Sequence, residues 1–131
     1  VSKRKDFDEP IDAMIYMIIA ALGFATVENI ASVARATNGF ELVTLRFLGA
    51  TFLHTLSSGL IGYYWALGLL KKAVTSFLAA GWFIATLLHS IFNALILIYG
   101  PVFQVTLFLV FIAFFVLNDF EKLKRKSSVL V

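Results

Sequence analysis

The sequence predicts an all-α polytopic membrane protein in which four transmembrane helices form one antiparallel bundle. Of its 131 residues, 60% are hydrophobic and only 15% are charged, whereas a soluble domain carries about 25% charged residues. Four apolar stretches approach or exceed the roughly 20 residues that cross the hydrocarbon core of a bilayer. These predicted spans cover about residues 11–36, 41–70, 74–99 and 101–117. Together they make residues 1–131 a single transmembrane domain.

The first predicted span follows a polar lead-in, residues 1–9. Pro10 suits the first turn of a helix, where its missing N–H group leaves no hydrogen bond unmade. The span contains one carboxylic acid deep in its apolar sequence, Glu28. It ends before Asn38 and Gly39, which are typical of a turn.

The second predicted span contains His54 and, eight residues earlier, Arg46. We expect Arg46 to lie near the outer surface, where it can extend towards water or pair with Glu41. Ser58 and Gly62 are four residues apart, a spacing of small side chains that allows another helix to approach closely.

The third predicted span contains His89 and, one helical turn later, Asn93; it ends at Gly100-Pro101. The fourth span, residues 101–117, has no ionisable side chain, so we expect it to face lipid. Residues 118–131 form a basic tail.

The basic residues predict the orientation of the bundle. If the four spans cross in succession, nine of the eleven lysines and arginines fall on one side of the membrane: Lys3, Arg4, Lys5, Lys71, Lys72, Lys122, Lys124, Arg125 and Lys126. Positively charged loops remain in the cytoplasm, so both termini are predicted to be cytoplasmic. Beside such spans, these clusters indicate a membrane surface and not a nucleic-acid partner.

Glu28, His54 and His89 are predicted to lie at one depth. With a rise of about 1.5 Å per residue, Glu28 lies about 26 Å from the cytoplasmic end of its span, and each histidine about 24 Å. Ionisable groups in hydrocarbon are costly and usually functional. The sequence therefore predicts a shared site in the outer half of the bilayer, with Asn93 one turn from His89.

Three kinds of chemistry suit this set of side chains. In a hydrolase, a carboxylate activates water, a histidine orients it, and His89 with Asn93 stabilises the oxyanion. Glu28, His54 and His89 also match the His₂Glu ligands of catalytic zinc, and two histidines can hold haem. A non-enzymatic transport or assembly subunit is a further alternative. The absence of cysteine excludes thiolate nucleophiles and disulfides.

Three sequence segments carry a family resemblance. Phe7–Tyr16 followed by Leu22–Asn29, which contains a Gly-Phe-Ala-x-x-Glu-Asn pattern, resembles the PrsW family of intramembrane proteases. The Arg46…His54 pair and the His-x-x-x-Asn segment His89–Asn93 are similar to the next two motifs. The ordered set covers about residues 7 to 95. The wider clan includes type II CAAX prenyl endopeptidases and bacteriocin-processing membrane proteases.

The resemblance implies hydrolysis of a peptide bond in a membrane-anchored protein, such as an anti-sigma factor, near the extracytoplasmic side. It implies that Glu28 is the motif glutamate, His54 a partner of water or metal, and His89 with Asn93 the oxyanion-stabilising or ligand pair. A divalent metal such as zinc is an optional cofactor of such a site. The expected location is a bacterial or archaeal plasma membrane, with lipid and an anchored substrate as partners.

One family motif, a Glu-Glu-x-x-Lys segment that is held to supply the water-activating carboxylate, does not occur in the sequence. Because the chain starts at Val1, we expect it to be part of a longer protein. In that case Glu28 would support the reaction or bind a metal, another carboxylate would act as the base, and this chain alone would be inactive.

Overall fold

The computed structural model describes residues 9–35, 37–100 and 103–130. Within these ranges it describes every side chain except those of Leu42 and residues 127–130. The predicted lead-in before Glu9 and the first two residues of the fourth span lie outside these ranges. All regular secondary structure within them is helical, which confirms the predicted class. The elements are α1 (Pro10–Val33), α2 (Gly39–Arg46), a π-helical turn (Phe47–Thr51), α3 (Phe52–Leu70), α4 (Val74–Tyr99) and α5 (Phe103–Leu130).

Three helices in the described ranges are long and apolar enough to cross a membrane: α1, α4 and the Phe103–Lys126 part of α5. The second predicted span is not one uniform helix. It is divided into α2, the π-helical turn and α3. Length and composition therefore support an integral membrane protein with three candidate spans.

Helix α1 begins where the sequence predicts. Pro10 occupies its first turn, and the backbone N–H of Glu9 donates a hydrogen bond of 2.9 Å to Asp12 Oδ2. This bond satisfies a backbone donor at the end of the helix and places negative charge near the positive end of the helix dipole.

Helix α3 lies at the centre of the bundle, between α1 and α4. Its contact with α1 is a contact between backbones at Gly62. A Cβ atom built on Gly62 would lie 2.5 Å from Met14 Cα and 2.8 Å from the carbonyl oxygen of Ala13. On the other side, a Cβ atom on Gly81 of α4 would lie 3.3 Å from Ile61 Cα. The close approach predicted at Gly62 is confirmed, and it fixes the distance between α1 and α3.

Helix α5 packs along one side of α3 and α1. Its buried residues recur every three or four positions, as Val105, Leu109, Ile112 and Val116, and form one stripe. The opposite face exposes large apolar side chains, as expected where lipid is the solvent. The helix does not end with the apolar sequence but continues through the predicted tail to Leu130, with Leu123 fully buried.

Candidate functional site

A cavity of about 420 Å³ opens between α1, the π-helical turn, α3 and α4. All four sequence-predicted site residues line it: Glu28, His54, His89 and Asn93. Its remaining wall includes Arg46 and apolar side chains such as Phe92, Ile96 and Val105. The structure thus brings together the polar groups that the depth estimate placed at one level.

Glu28 and His54 are in direct contact across the α1–α3 interface. His54 Nε2 lies 3.0 Å from Glu28 Oε2. The histidine side chain is 20% exposed and the glutamate side chain 41% exposed. The carboxylate is therefore held by a neighbouring imidazole and remains accessible from the cavity.

The His54 ring is enclosed by two further rings. The His89 ring, from α4, lies 5.1 Å away between ring centroids, at an interplanar angle of 53°. The Phe24 ring, one turn before Glu28 on α1, meets His54 edge to face at 5.3 Å. These contacts restrict the orientation of the His54 imidazole. Asn93 lies one turn beyond His89 and is exposed.

Arg46 completes the surroundings of Glu28. Its Nη2 atom lies 3.2 Å from Glu28 Oε1, an ion-pair distance, although the two groups are not aligned as a hydrogen bond. Its Nε–H donates to Asn29 Oδ1 at 2.9 Å. The proposed partner Glu41 was therefore the wrong carboxylate: Arg46 turns towards α1 and pairs with Glu28.

Asn29 and Thr51 also belong to this network, although no role was predicted for either from the sequence. Asn29 Nδ2 donates to Thr51 Oγ1 at 2.8 Å. Thr51, which is buried, is the last residue of the π-helical turn. One signal was present: Asn29 is a second polar side chain directly after Glu28, and it points about 100° away from it around the helix.

The three predicted metal ligands do not form a metal centre in this arrangement. Glu28 Oε2 faces His54 and Glu28 Oε1 faces Arg46, so each carboxylate oxygen already has a partner. Across the described ranges, no group of three His, Cys, Asp or Glu side chains is placed to hold a metal ion. The geometry suits proton transfer between a carboxylate and an imidazole.

A family model and three curated proteins indicate the same family for this chain. A family model described as PrsW family intramembrane metalloprotease matches residues 1–118. A curated protein named Protease PrsW from Geobacillus kaustophilus (strain HTA426) is 36% identical over 100 residues, which cover 74% of this chain and 43% of that protein.

Two further bacterial proteins named Protease PrsW match as well. The one from Oceanobacillus iheyensis is 32% identical over 71% of this chain and 43% of its own length. The one from Halalkalibacterium halodurans is 31% identical over 77% of this chain and 46% of its own length. The chain therefore spans less than half the length of these curated relatives. No solved structure matches the chain significantly.

The resemblance in the three sequence segments is thus confirmed by a match that includes all of them. The chain belongs to the PrsW family of intramembrane metalloproteases.

Proposed function

We propose that this chain forms the core of an intramembrane endopeptidase that cleaves a membrane-anchored protein, such as an anti-sigma factor, near the extracytoplasmic side. The observation that carries the proposal is the contact between Glu28 and His54 at 3.0 Å, inside a cavity that His89 and Asn93 also line. The matched relatives are named as proteases, which supports the same reaction class.

We propose Glu28, the carboxylate that lines the cavity among the described residues, and not a carboxylate outside this chain, as the base of the reaction. It binds a water molecule and removes a proton from it, while His54 keeps the carboxylate in place. The oxygen of that water attacks the carbonyl carbon of the scissile peptide bond and forms a tetrahedral oxyanion. The C–N bond then breaks, and the proton taken from water passes to the leaving amine. General acid–base catalysis of this kind contributes about 10²–10⁴-fold to a rate.

His89 and Asn93 are the proposed oxyanion partners. They lie one helical turn apart on α4, so both can face one substrate carbonyl. An imidazole N–H and an amide N–H each donate a hydrogen bond to an oxygen that gains charge in the transition state. One such donor typically accounts for about 10²–10³-fold in kcat.

The proposed orientation has four membrane crossings, with α2, the π-helical turn and α3 together forming the second, and with both termini cytoplasmic. The basic residues after Leu117 and the Lys71–Lys72 pair support it, since positive charge is retained in the cytoplasm. In this orientation the cavity lies in the outer half of the bilayer. The bacterial origin of the matched relatives favours a bacterial plasma membrane.

The direct packing of the two imidazoles favours this function over haem binding. A haem held by His54 and His89 needs both rings to point at one iron from opposite faces of the porphyrin. Here the rings touch, and His54 Nε2 is bonded to Glu28.

A cleavage assay in cells tests the proposed function. The intact protein is co-produced with a membrane-anchored reporter, and new reporter termini are identified by mass spectrometry. We expect His89→Ala to remove those termini while the protein is produced normally. Ser90→Ala is the matched control, because this neighbouring hydroxyl donates to the Thr86 carbonyl instead of lining the cavity. Equal cleavage by His89→Ala and wild type would contradict the assignment of the site.

Zinc, an optional cofactor of the site predicted from the sequence, is tested by metal removal. Because both Glu28 oxygens have protein partners, we expect cleavage to persist after dialysis against 1,10-phenanthroline. Loss of cleavage that returns with added zinc would contradict this expectation. It would show that the reaction needs zinc, as the description of the family implies, with ligands arranged differently from Glu28, His54 and His89 in this structure.

A further inference from the structure

We propose that Arg46 is a positioning residue for Glu28, and that the π-helical turn sets the register on which this depends. The proposal rests on the proposed function, since it assigns a role within the same reaction.

Each carboxylate oxygen of Glu28 has its own partner from the second predicted span. Oε2 faces His54 Nε2 at 3.0 Å, and Oε1 faces Arg46 Nη2 at 3.2 Å. With both oxygens engaged, the carboxylate cannot rotate freely about its terminal bond. The two contacts fix the plane in which its remaining lone pairs meet water in the cavity.

The π-helical turn makes this double contact possible. In an uninterrupted α-helix, the eight residues from Arg46 to His54 would turn the second side chain about 80° from the first. A π-helical turn closes its hydrogen bonds over one more residue than an α-helical turn. It therefore absorbs one residue, and the effective spacing becomes seven, which leaves the two side chains only about 20° apart. Both then face α1.

The same turn also holds Arg46 in place. Arg46 Nε donates to Asn29 Oδ1, and Asn29 Nδ2 donates to Thr51 Oγ1. Thr51 closes the turn, and its carbonyl oxygen accepts a hydrogen bond from Thr55. The chain of bonds runs from the end of the turn through α1 to the guanidinium. Arg46 is thereby tied to both helices that carry the Glu28–His54 pair.

The charges around Glu28 give Arg46 a distinct role. Among the described residues that line the cavity, the titratable side chains facing Glu28 are Arg46, His54 and, behind His54, His89. The lining residue from α5 is the apolar Val105. Arg46 is the permanently charged member of this set. Its side chain is 22% exposed and that of Glu28 is 41% exposed, so the ion pair is only partly shielded from water.

Steady-state kinetics of the intact protein with a cleavable membrane-anchored peptide test the proposal. We expect Arg46→Gln to lower kcat by about 10²-fold, the typical effect of a misplacement near 1 Å, with KM unchanged. Arg46→Lys keeps the charge but cannot bind Asn29 and Glu28 with one planar group, so we expect partial recovery of kcat. Arg35→Gln, which changes an exposed arginine at the end of α1, is the matched control.

Insertion of one alanine after Ala50, within the π-helical turn, tests the register. The turn still absorbs one residue, so the effective spacing from Arg46 to His54 becomes eight residues and the two side chains lie about 80° apart. We expect kcat to fall at least as far as in Arg46→Gln, with a similar unfolding temperature for both variants. Wild-type kcat in the insertion variant would overturn the role of the turn; if that variant does not fold, the Arg46 substitutions decide the question.

Failure of the proposed role of Arg46 and failure of the proposed function give different experimental results. Wild-type kcat in Arg46→Gln, together with an inactive Glu28→Gln variant, would overturn the role of Arg46 and leave the proposed function standing. A fall in kcat that follows only the loss of folded protein, with no recovery in Arg46→Lys, would also overturn it. If Glu28→Gln cleaves normally, Glu28 is not the base, and the positioning role of Arg46 falls with it. The proposed function itself fails if the intact wild-type protein releases no new termini from the membrane-anchored substrate.

Discussion

Replacement of Glu28 by glutamine is expected to lower kcat for cleavage of a membrane-anchored substrate by about 10²–10⁴-fold, the contribution of a general base. Glutamine keeps the size of the side chain and can still accept a hydrogen bond from His54. It cannot take a proton from water, and it no longer attracts Arg46. The protein should therefore remain folded and bind substrate while the chemical step fails, which single-turnover kinetics in detergent or liposomes would measure.

Glu41→Gln is the matched control for this prediction. Glu41 is an exposed carboxylate in the first turn of α2 and does not line the cavity, so its variant should cleave at the wild-type rate. A Glu28→Gln variant that keeps the wild-type kcat would contradict the assignment of Glu28 as the base. The water-activating carboxylate would then be another group, and Glu28 would serve to hold His54 and Arg46.

The largest effect on stability is expected from Gly62→Ala. The added methyl group would lie 2.5 Å from Met14 Cα, and neither backbone can yield without moving a helix. We expect the free energy of unfolding to fall by about 3 kcal/mol, the upper end of the usual cost of overpacking. Unfolding in mixed detergent micelles, followed by circular dichroism, would measure it.

Gly23→Ala provides the comparison. A Cβ atom on Gly23 meets no atom within 4 Å. Because alanine favours a helix over glycine by about 0.5–1 kcal/mol, this variant should be slightly more stable than wild type. If both substitutions change the stability equally, the close contact of α1 and α3 at Gly62 would be contradicted.

Much of the site was predictable because depth along a helix is a simple function of residue number. The estimates for Glu28, His54 and His89 needed only the ends of the spans and the rise per residue. Because neighbouring spans cross in opposite directions, equal distances from their cytoplasmic ends correspond to one depth. The three side chains meet there in one cavity. The four residues carried over from the family motifs lie together for the same reason.

The partner of Arg46 was not predictable in the same way. Phe-Leu-Gly-Ala-Thr has the composition of an ordinary apolar helix, and nothing in these letters distinguishes a π-helical turn from an α-helical one. With α-helical spacing, Arg46 points about 80° away from His54 around the helix, so its contact with the partner of His54 could not be predicted. The hydrogen bonds of Asn29 with Thr51 and Arg46 depend on the same helical register, so they could not be predicted from the sequence.

The central position of α3 couples the site to the membrane itself. Glu28, His54 and His89 belong to three different helices, so their separations are set by how α3 leans between its neighbours. A helix adjusts its tilt when the thickness of the surrounding bilayer changes. We therefore expect a change of lipid chain length to act on the Glu28–His54 and His54–His89 distances together, and through them on the rate of the proposed reaction.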